Sequence, residues 1–306
     1  MRPHSRRSVL AAVSGGVVGS AAGCLGGRKS VSVLSAGSLA VVLDDHVGRR
    51  FSQQTGTAFH GEYYGSKAVM RMVEDGQKSP DVVISADREL LRDRLYGAHT
   101  SWDVAFGSNS LGIAYSPTTQ IGERLDAGQP WYEVIAEAAK GDIAISDPKL
   151  DPLGYRAIQA LRLAEDVHEL DGFADQITAT AYREPEEPRL LGGVDTGKRA
   201  AAIAYRNMAL DHGLSFREFP DRYNFSNPAY ADYYATVSYT TADGYTAKGA
   251  PIVYGATVLD GATEPASSRR FVTALANSSG LLEENGLTVS GFPTVHGTAP
   301  EGVIGK

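Results

Sequence analysis

The sequence predicts an α/β fold built on parallel sheet, and three observations predict it. From Val31 onward, short apolar runs of strand length alternate with amphipathic stretches of helix length. Small-residue turns, Ser35-Ala36-Gly37-Ser38 and Tyr64-Gly65-Ser66, close the first two strands and lead into helices. Finally, 306 residues that are 42% hydrophobic and 21% charged can fill the core of one large domain or of two lobes.

The chain begins with a segment that reads as an address. Ser5-Arg6-Arg7-Ser8-Val9-Leu10 is a twin-arginine export pattern, and an apolar run rich in Gly, Ala and Ser follows it through Ala22. The run is too short for a good membrane span. It ends in Ala21-Ala22-Gly23-Cys24, which resembles a prokaryotic lipobox and makes Cys24 the expected lipidated N-terminus after cleavage. Cleavage there removes Arg2, Arg6 and Arg7 and leaves residues 25–30 as a tether. The expected location is therefore the extracytoplasmic face of the cell membrane, with the protein anchored through lipid at Cys24. Cys24 is also the single cysteine, so neither an intrachain disulfide nor a cysteine-rich metal site can form.

The elements follow in order. Val31 and Val33 open a strand that ends at the first turn. Leu39, Leu43, Val47 and Phe51 then recur every four residues, a helical stripe suited to packing on a sheet. Thr55-Gly56-Thr57 closes that helix, Ala58 to Tyr64 forms the second strand, and a short helix with Val69, Met72 and Val73 stops at Gly76. Asp81-Val82-Val83-Ile84 is a buried strand, with Ser85-Ala86-Asp87 capping the next helix. Asn109 to Tyr115 is a strand, Trp131 to Ala139 a helix anchored in the core by Trp131-Tyr132, and Asp142 to Ile145 a strand. The Asp-Pro steps at Asp147-Pro148 and Asp151-Pro152 favour a stiff, extended loop before a helix from Tyr155 to Val167. A helix from Leu170 to Ala181 and a stiff loop from Glu184 to Pro188 precede the strand Ala200 to Tyr205. Residues 208–250 read as crossover loops with one strand, Tyr234 to Tyr239. Pro251 to Val258 is a strand, Ser267 to Leu275 the last helix, and the tail from Gly291 a loop.

In open α/β sheets, ligands sit beyond the carboxyl ends of the strands, where both serine turns fall. A helix start carries unpaired N–H donors and a partial positive charge, so two such turns facing one cleft can hold a small oxyanion without Lys or Arg. The same turns also serve as ordinary connectors, and the residues alone leave both roles open. Composition narrows the partners. Lys+Arg is 29 against Asp+Glu 36, a formal charge of −7 with no basic stripe, which argues against nucleic acid. The acidic excess suits a salt-adapted organism. Gly-x-Ser-x-Gly and His-Glu-x-x-His are absent beyond the leader, and His212 and His296 have no partner at metal-ligand spacing, so an enzyme is not expected.

The ordered set Ala36-Gly37-Ser38-Leu39, Tyr64-Gly65-Ser66, Asp81 to Asp87, Ser146-Asp147-Pro148 through Gly154-Tyr155-Arg156, Tyr205-Arg206 with His212 and Leu214, Tyr233-Tyr234 and Pro251 to Gly255 resembles the archaeal-type molybdate/tungstate-binding proteins of ABC transporters. The similarity covers roughly residues 31–295. It implies a type II periplasmic-binding-protein fold, with two α/β lobes joined by a hinge around an interlobe ligand cleft. Lobe 1 would comprise residues 31–110 and 215–296, lobe 2 residues 111–214, and 297–306 a tail. It also implies capture of molybdate or tungstate, delivery to the permease and ATPase subunits of the transporter, no cofactor, and action as a monomer.

The resemblance assigns roles residue by residue. Ser38 and Ser66 would hydrogen-bond the oxyanion, and two carboxylates would coordinate Mo or W itself, raising it from about four towards six oxygen ligands. The Asp of the Asp-Pro-x-Gly-Tyr-Arg motif falls on Asp151. The Glu falls on Glu187, although Glu186-Glu187-Pro188-Arg189 departs from the family pattern and leaves Glu186 as an alternative. Tyr205 is expected in a supporting role at the cleft. Two carboxylates would repel sulfate by roughly 4 kcal/mol per unit-charge pair at about 4 Å and an effective dielectric near 20. A hexavalent metal centre, by contrast, accepts further oxygens. A binder of a plain tetrahedral oxyanion such as sulfate, or an oxyanion sensor without a transporter, shares the fold and stands as the alternative.

Overall fold

The computed structural model describes residues 29–304. The twin-arginine segment, Cys24 and most of the tether lie outside them. The strands, in chain order, are β1 (Ser30–Ala36), β2 (Ala58–Tyr64), β3 (Val82–Ser85), β4 (Trp102–Ser108), β5 (Leu111–Tyr115), β6 (Ile143–Ser146), β7 (Tyr182–Glu184), β8 (Ala201–Tyr205), β9 (Ser215–Glu218), β10 (Ser238–Thr240), β11 (Thr246–Lys248), β12 (Val253–Val258) and β13 (Thr294–Gly297). A six-stranded sheet has the order β13-β4-β12-β3-β1-β2 and a five-stranded sheet the order β7-β6-β8-β5-β9, while β10 and β11 form a separate hairpin. In the first sheet β1 runs parallel to β2 and β3, and β12 lies antiparallel between β3 and β4. In the second, β6 runs parallel to β7 and β8, and β5 is antiparallel to β8 and β9. The result is two α/β lobes. The chain crosses between them at Asn109-Ser110 and returns between β9 and β12.

The expected stripe Leu39, Leu43, Val47 and Phe51 is buried. It does not lie on one regular helix. A 3-10 turn (Gly37–Leu39), a π-helical stretch (Val42–Val47) and an α-helix (Gly48–Thr55) succeed one another. The wider π turn accommodates a spacing of four residues, which exceeds the α-helical repeat. In the second lobe Trp131 packs at 4.5 Å between ring centroids on Phe219 and also meets Phe173 and Tyr223. Trp131 is thus the expected core anchor, and its partners Phe219 and Tyr223 show that the second lobe's core extends past β9.

Several sequence expectations change. β9 pairs with β5 and belongs to the second sheet, so the return crossing comes after Glu218 rather than at 214. The strand expected over Tyr234 to Tyr239 is instead a short helix, Ala231–Tyr234, followed by β10. A helix at Arg206–Asp211 occupies part of the segment read as loop, and β13 pairs with β4 within the tail read as loop. β4 itself was not anticipated: Asp103, Gly107 and Ser108 break its apolar run. Asp103 is tolerated at 0% exposure because Arg92 and the Tyr96 hydroxyl both reach its carboxylate.

Candidate functional site

The first anion turn starts the 3-10 segment after β1, and the second starts the helix Ser66–Glu74 after β2. Parallel pairing aligns their ends, since Ala36 stands opposite Tyr64. Ser38 and Ser66 are both buried. Ser66 Oγ accepts a hydrogen bond from the Ala86 N–H at 2.9 Å, which leaves the serine hydrogen free to be donated elsewhere. Ser38 is positioned from the crossing between lobes. Its hydroxyl lies 3.3 Å from the Tyr254 hydroxyl, Asn109 Nδ2 donates to Tyr254 and to Asn207, and Asn207 Nδ2 donates to the Ser38 carbonyl.

The glycines of both turns are required by what presses on them. A Cβ on Gly37 would stand 2.7 Å from Pro188 Cδ and 3.0 Å from Glu187 Oε2, and one on Gly65 would stand 2.5 Å from the Leu150 carbonyl oxygen and 2.7 Å from Asp151 Cβ. The second lobe's carboxylate loops therefore seat directly on the first lobe's serine turns.

Asp151 stands at the N-cap position of the helix Pro152–His168; its carboxylate faces the N–H groups of Leu153 and Ser66 without a capping hydrogen bond of regular geometry. Ser146 Oγ donates to its Oδ2 at 2.6 Å, while Oδ1 is buried without a hydrogen-bond partner among the described residues. Glu187, 0% exposed, starts a 3-10 turn after β7. Its Oε2 accepts from the Gly37 N–H at 2.7 Å, and its Oε1 is likewise buried and unpartnered. Burial pushes both carboxyls above the ordinary carboxylate range, and the negative charge of Asp151 pushes Glu187 further. Glu186 differs: its side chain is 55% exposed and pairs with Arg189 at 3.0 Å. The buried member of the pair is Glu187.

The expected site residues Ser38, Ser66, Asp151 and Glu187 thus meet at one seam, with Tyr205 behind them. Tyr205 is fully buried, and its hydroxyl accepts from Arg156 Nη1 at 2.8 Å. Arg156 is a buried residue beside the site to which the sequence reading gives no role, even though it stands in the quoted Gly154-Tyr155-Arg156 motif. Burial of this motif arginine brings a fixed positive charge close to a cleft whose serine turns are read as able to hold an oxyanion without Lys or Arg. Tyr254, within the quoted Pro251 to Gly255 segment, is likewise given no role by the sequence reading, and nothing local in the sequence marks Asn109 and Asn207. Asp87 caps the helix Arg88–Leu95 as expected, and in addition its other carboxylate oxygen faces Arg156 and Tyr155.

Chemically, the seam offers neutral hydroxyl donors from one wall and hydrogen-bond-deficient carboxylate oxygens from the other. Such oxygens suit a hard, positively charged centre that carries oxygens of its own. Among the described residues no group of three or more His, Cys, Asp or Glu is arranged to hold a metal ion.

Comparison with known proteins agrees with this architecture. The chain is 38% identical over 97% of its length, and 96% of the relative's, to a Haloferax volcanii protein named for ABC transporter molybdenum binding. It is 29% identical to the molybdate/tungstate-binding protein WtpA of Thermococcus kodakarensis, over 81% of this chain and 77% of that one. The fold matches the periplasmic molybdate-binding protein of Azotobacter vinelandii with a TM-score of 0.60 at 17% identity, covering 85% of this chain and 98% of that one. The family model for bacterial extracellular solute-binding proteins matches residues 31–287, and the chain belongs to that family.

Proposed function

We propose that this protein is the extracytoplasmic binding component of an ABC transporter, capturing molybdate or tungstate between its lobes and delivering it to the permease. One observation carries the reading: Asp151 Oδ1 and Glu187 Oε1 are buried carboxylate oxygens without hydrogen-bond partners among the described residues, set against two serine turns. Left unpaired, such groups are costly, so a fold that keeps them gains something on binding. A hexavalent Mo or W centre accepts both oxygens as ligands, whereas sulfur in sulfate does not expand its shell and its oxygens are repelled. The names of the relatives point the same way.

In this reading Ser38 and Ser66 donate to the ligand's oxygens, Asp151 and Glu187 coordinate the metal, and Tyr205 supports the cleft through Arg156. Residues 31–110 with β12, its following helices and β13 form one closing lobe, and residues 111–223 form the other. Export by the twin-arginine route, cleavage before Cys24 and lipidation there hold the monomeric protein at the outer face of the membrane. No catalytic step is assigned to it. Calorimetric titration of the chain from Leu25 onward should give molybdate and tungstate affinities at least about a hundredfold above sulfate, or ~2.7 kcal/mol. Equal affinity for sulfate would refute metal coordination.

A further inference from the structure

The helix Pro152–His168 carries Asp151 into the site at its start and, one turn later, sets Tyr155 and Arg156 against the other lobe. Arg156 is 3% exposed. Its Nη1 donates to the Ala86 carbonyl at 2.8 Å, and its Nη2 pairs with Asp87 Oδ2 at 3.2 Å. The Tyr155 hydroxyl donates to the same Oδ2 at 2.5 Å. Asp87 Oδ1 meanwhile caps the helix Arg88–Leu95 through the N–H groups of Glu89 and Leu90. Both partners, Ala86 and Asp87, directly follow β3 in the first lobe. The Ala86 N–H donates to Ser66 Oγ, so this dipeptide holds the serine turn on one side and the Asp151 helix on the other.

We propose that Asp87 is a positioning residue for the oxyanion site. It clasps Arg156 and Tyr155 across the seam, so that Asp151 reaches the ligand only when Ser66 is already set. Opening the seam would strip a buried guanidinium of its carboxylate and its carbonyl partner together, which makes closure cooperative. The inference rests on the ligand-binding reading for its affinity arm; the seam itself can be followed without any ligand.

The test is site-resolved amide exchange of the full chain with and without sodium tungstate. The Ala68 N–H donates across the seam to the Leu150 carbonyl at 3.0 Å, and the Gly37 N–H to Glu187 at 2.7 Å, so both amides report closure. Asp87→Asn keeps an oxygen for the helix cap and removes the charge. With tungstate bound, both seam amides should exchange about tenfold faster in this variant than in the wild type, while the β1 and β3 amides keep their rates. Its tungstate Kd should rise by about tenfold. Tyr155→Phe, which leaves the ion pair intact, should move the same amides in the same direction by about threefold. Should the wild type bind no oxyanion at all, the ligand reading fails, and the same ranking is then expected in the ligand-free proteins. Equal seam-amide rates in wild type and both variants, in every state, would overturn the clasp.

Discussion

The first-lobe wall of the cleft presents hydroxyls whose positions are fixed by hydrogen bonds, whereas the second-lobe wall presents buried carboxylates that each keep one oxygen unpartnered. On the proposed reading the difference separates two tasks. Neutral donors recognise oxyanion oxygens of any kind, because sulfate and molybdate offer them the same acceptors. Carboxylates discriminate, because they attract only a centre able to take further oxygen ligands. Changes to the two walls should therefore have different signatures.

The largest effect is expected from the carboxylate wall. Asp151→Ala should weaken tungstate binding by about 3 kcal/mol without lowering the melting temperature of the ligand-free protein, since it removes a buried carboxyl with an unmet oxygen. Titration and thermal melts together check this, and an unchanged affinity would return Asp151 to a purely structural role. Glu187→Gln should likewise lose most of the tungstate affinity, whereas Glu186→Gln at the exposed neighbour should change it by less than about 0.5 kcal/mol. The opposite ranking would place the second ligand on Glu186.

A smaller change is expected from the donor wall. Ser66→Ala removes one hydroxyl donor and should weaken molybdate and sulfate alike by about 1 kcal/mol, leaving their ratio intact. A collapse of the ratio would mean that the serine turn itself discriminates.

The response to pH is specific in sign. Burial raises the Asp151 and Glu187 carboxyls in the folded protein. Stability from that pair is fully present below the ordinary carboxylate range near pH 4, and it is lost as pH rises through the raised values. The ligand-free melting temperature should therefore fall between pH 5 and neutrality by several degrees (about 2 to 3 kcal/mol), and saturating tungstate should flatten that slope. A slope that tungstate leaves unchanged would detach the pair from the ligand.

What was legible in the sequence follows the same division. The serine turns, the Asp-Pro loop and the apolar strands are local signals, readable from short-range spacing and turn chemistry. Glu187 needed the resemblance, because nothing within Glu184 to Pro188 says which glutamate turns inward. Asn109, Asn207 and Tyr254 were invisible for a different reason: their hydrogen bonds join residues 98 to 216 positions apart, and only the folded crossing brings them together. Arg156 was visible as a letter of the motif, but its role depends on Ala86 and Asp87, which lie 70 and 69 positions earlier. β4 escaped because a buried aspartate breaks its pattern, and that aspartate is satisfied by Arg92 and Tyr96 on the preceding helix and turn.

The central claim is that the second-lobe carboxylates bind the metal and not merely its oxygens. X-ray absorption at the tungsten edge of the tungstate-loaded protein tests it directly. Coordination by Asp151 and Glu187 predicts about six oxygens around tungsten, with the added ones at longer distance, and loss of one of them in Asp151→Ala. An unaltered tetrahedral shell of about four short tungsten–oxygen bonds would contradict it.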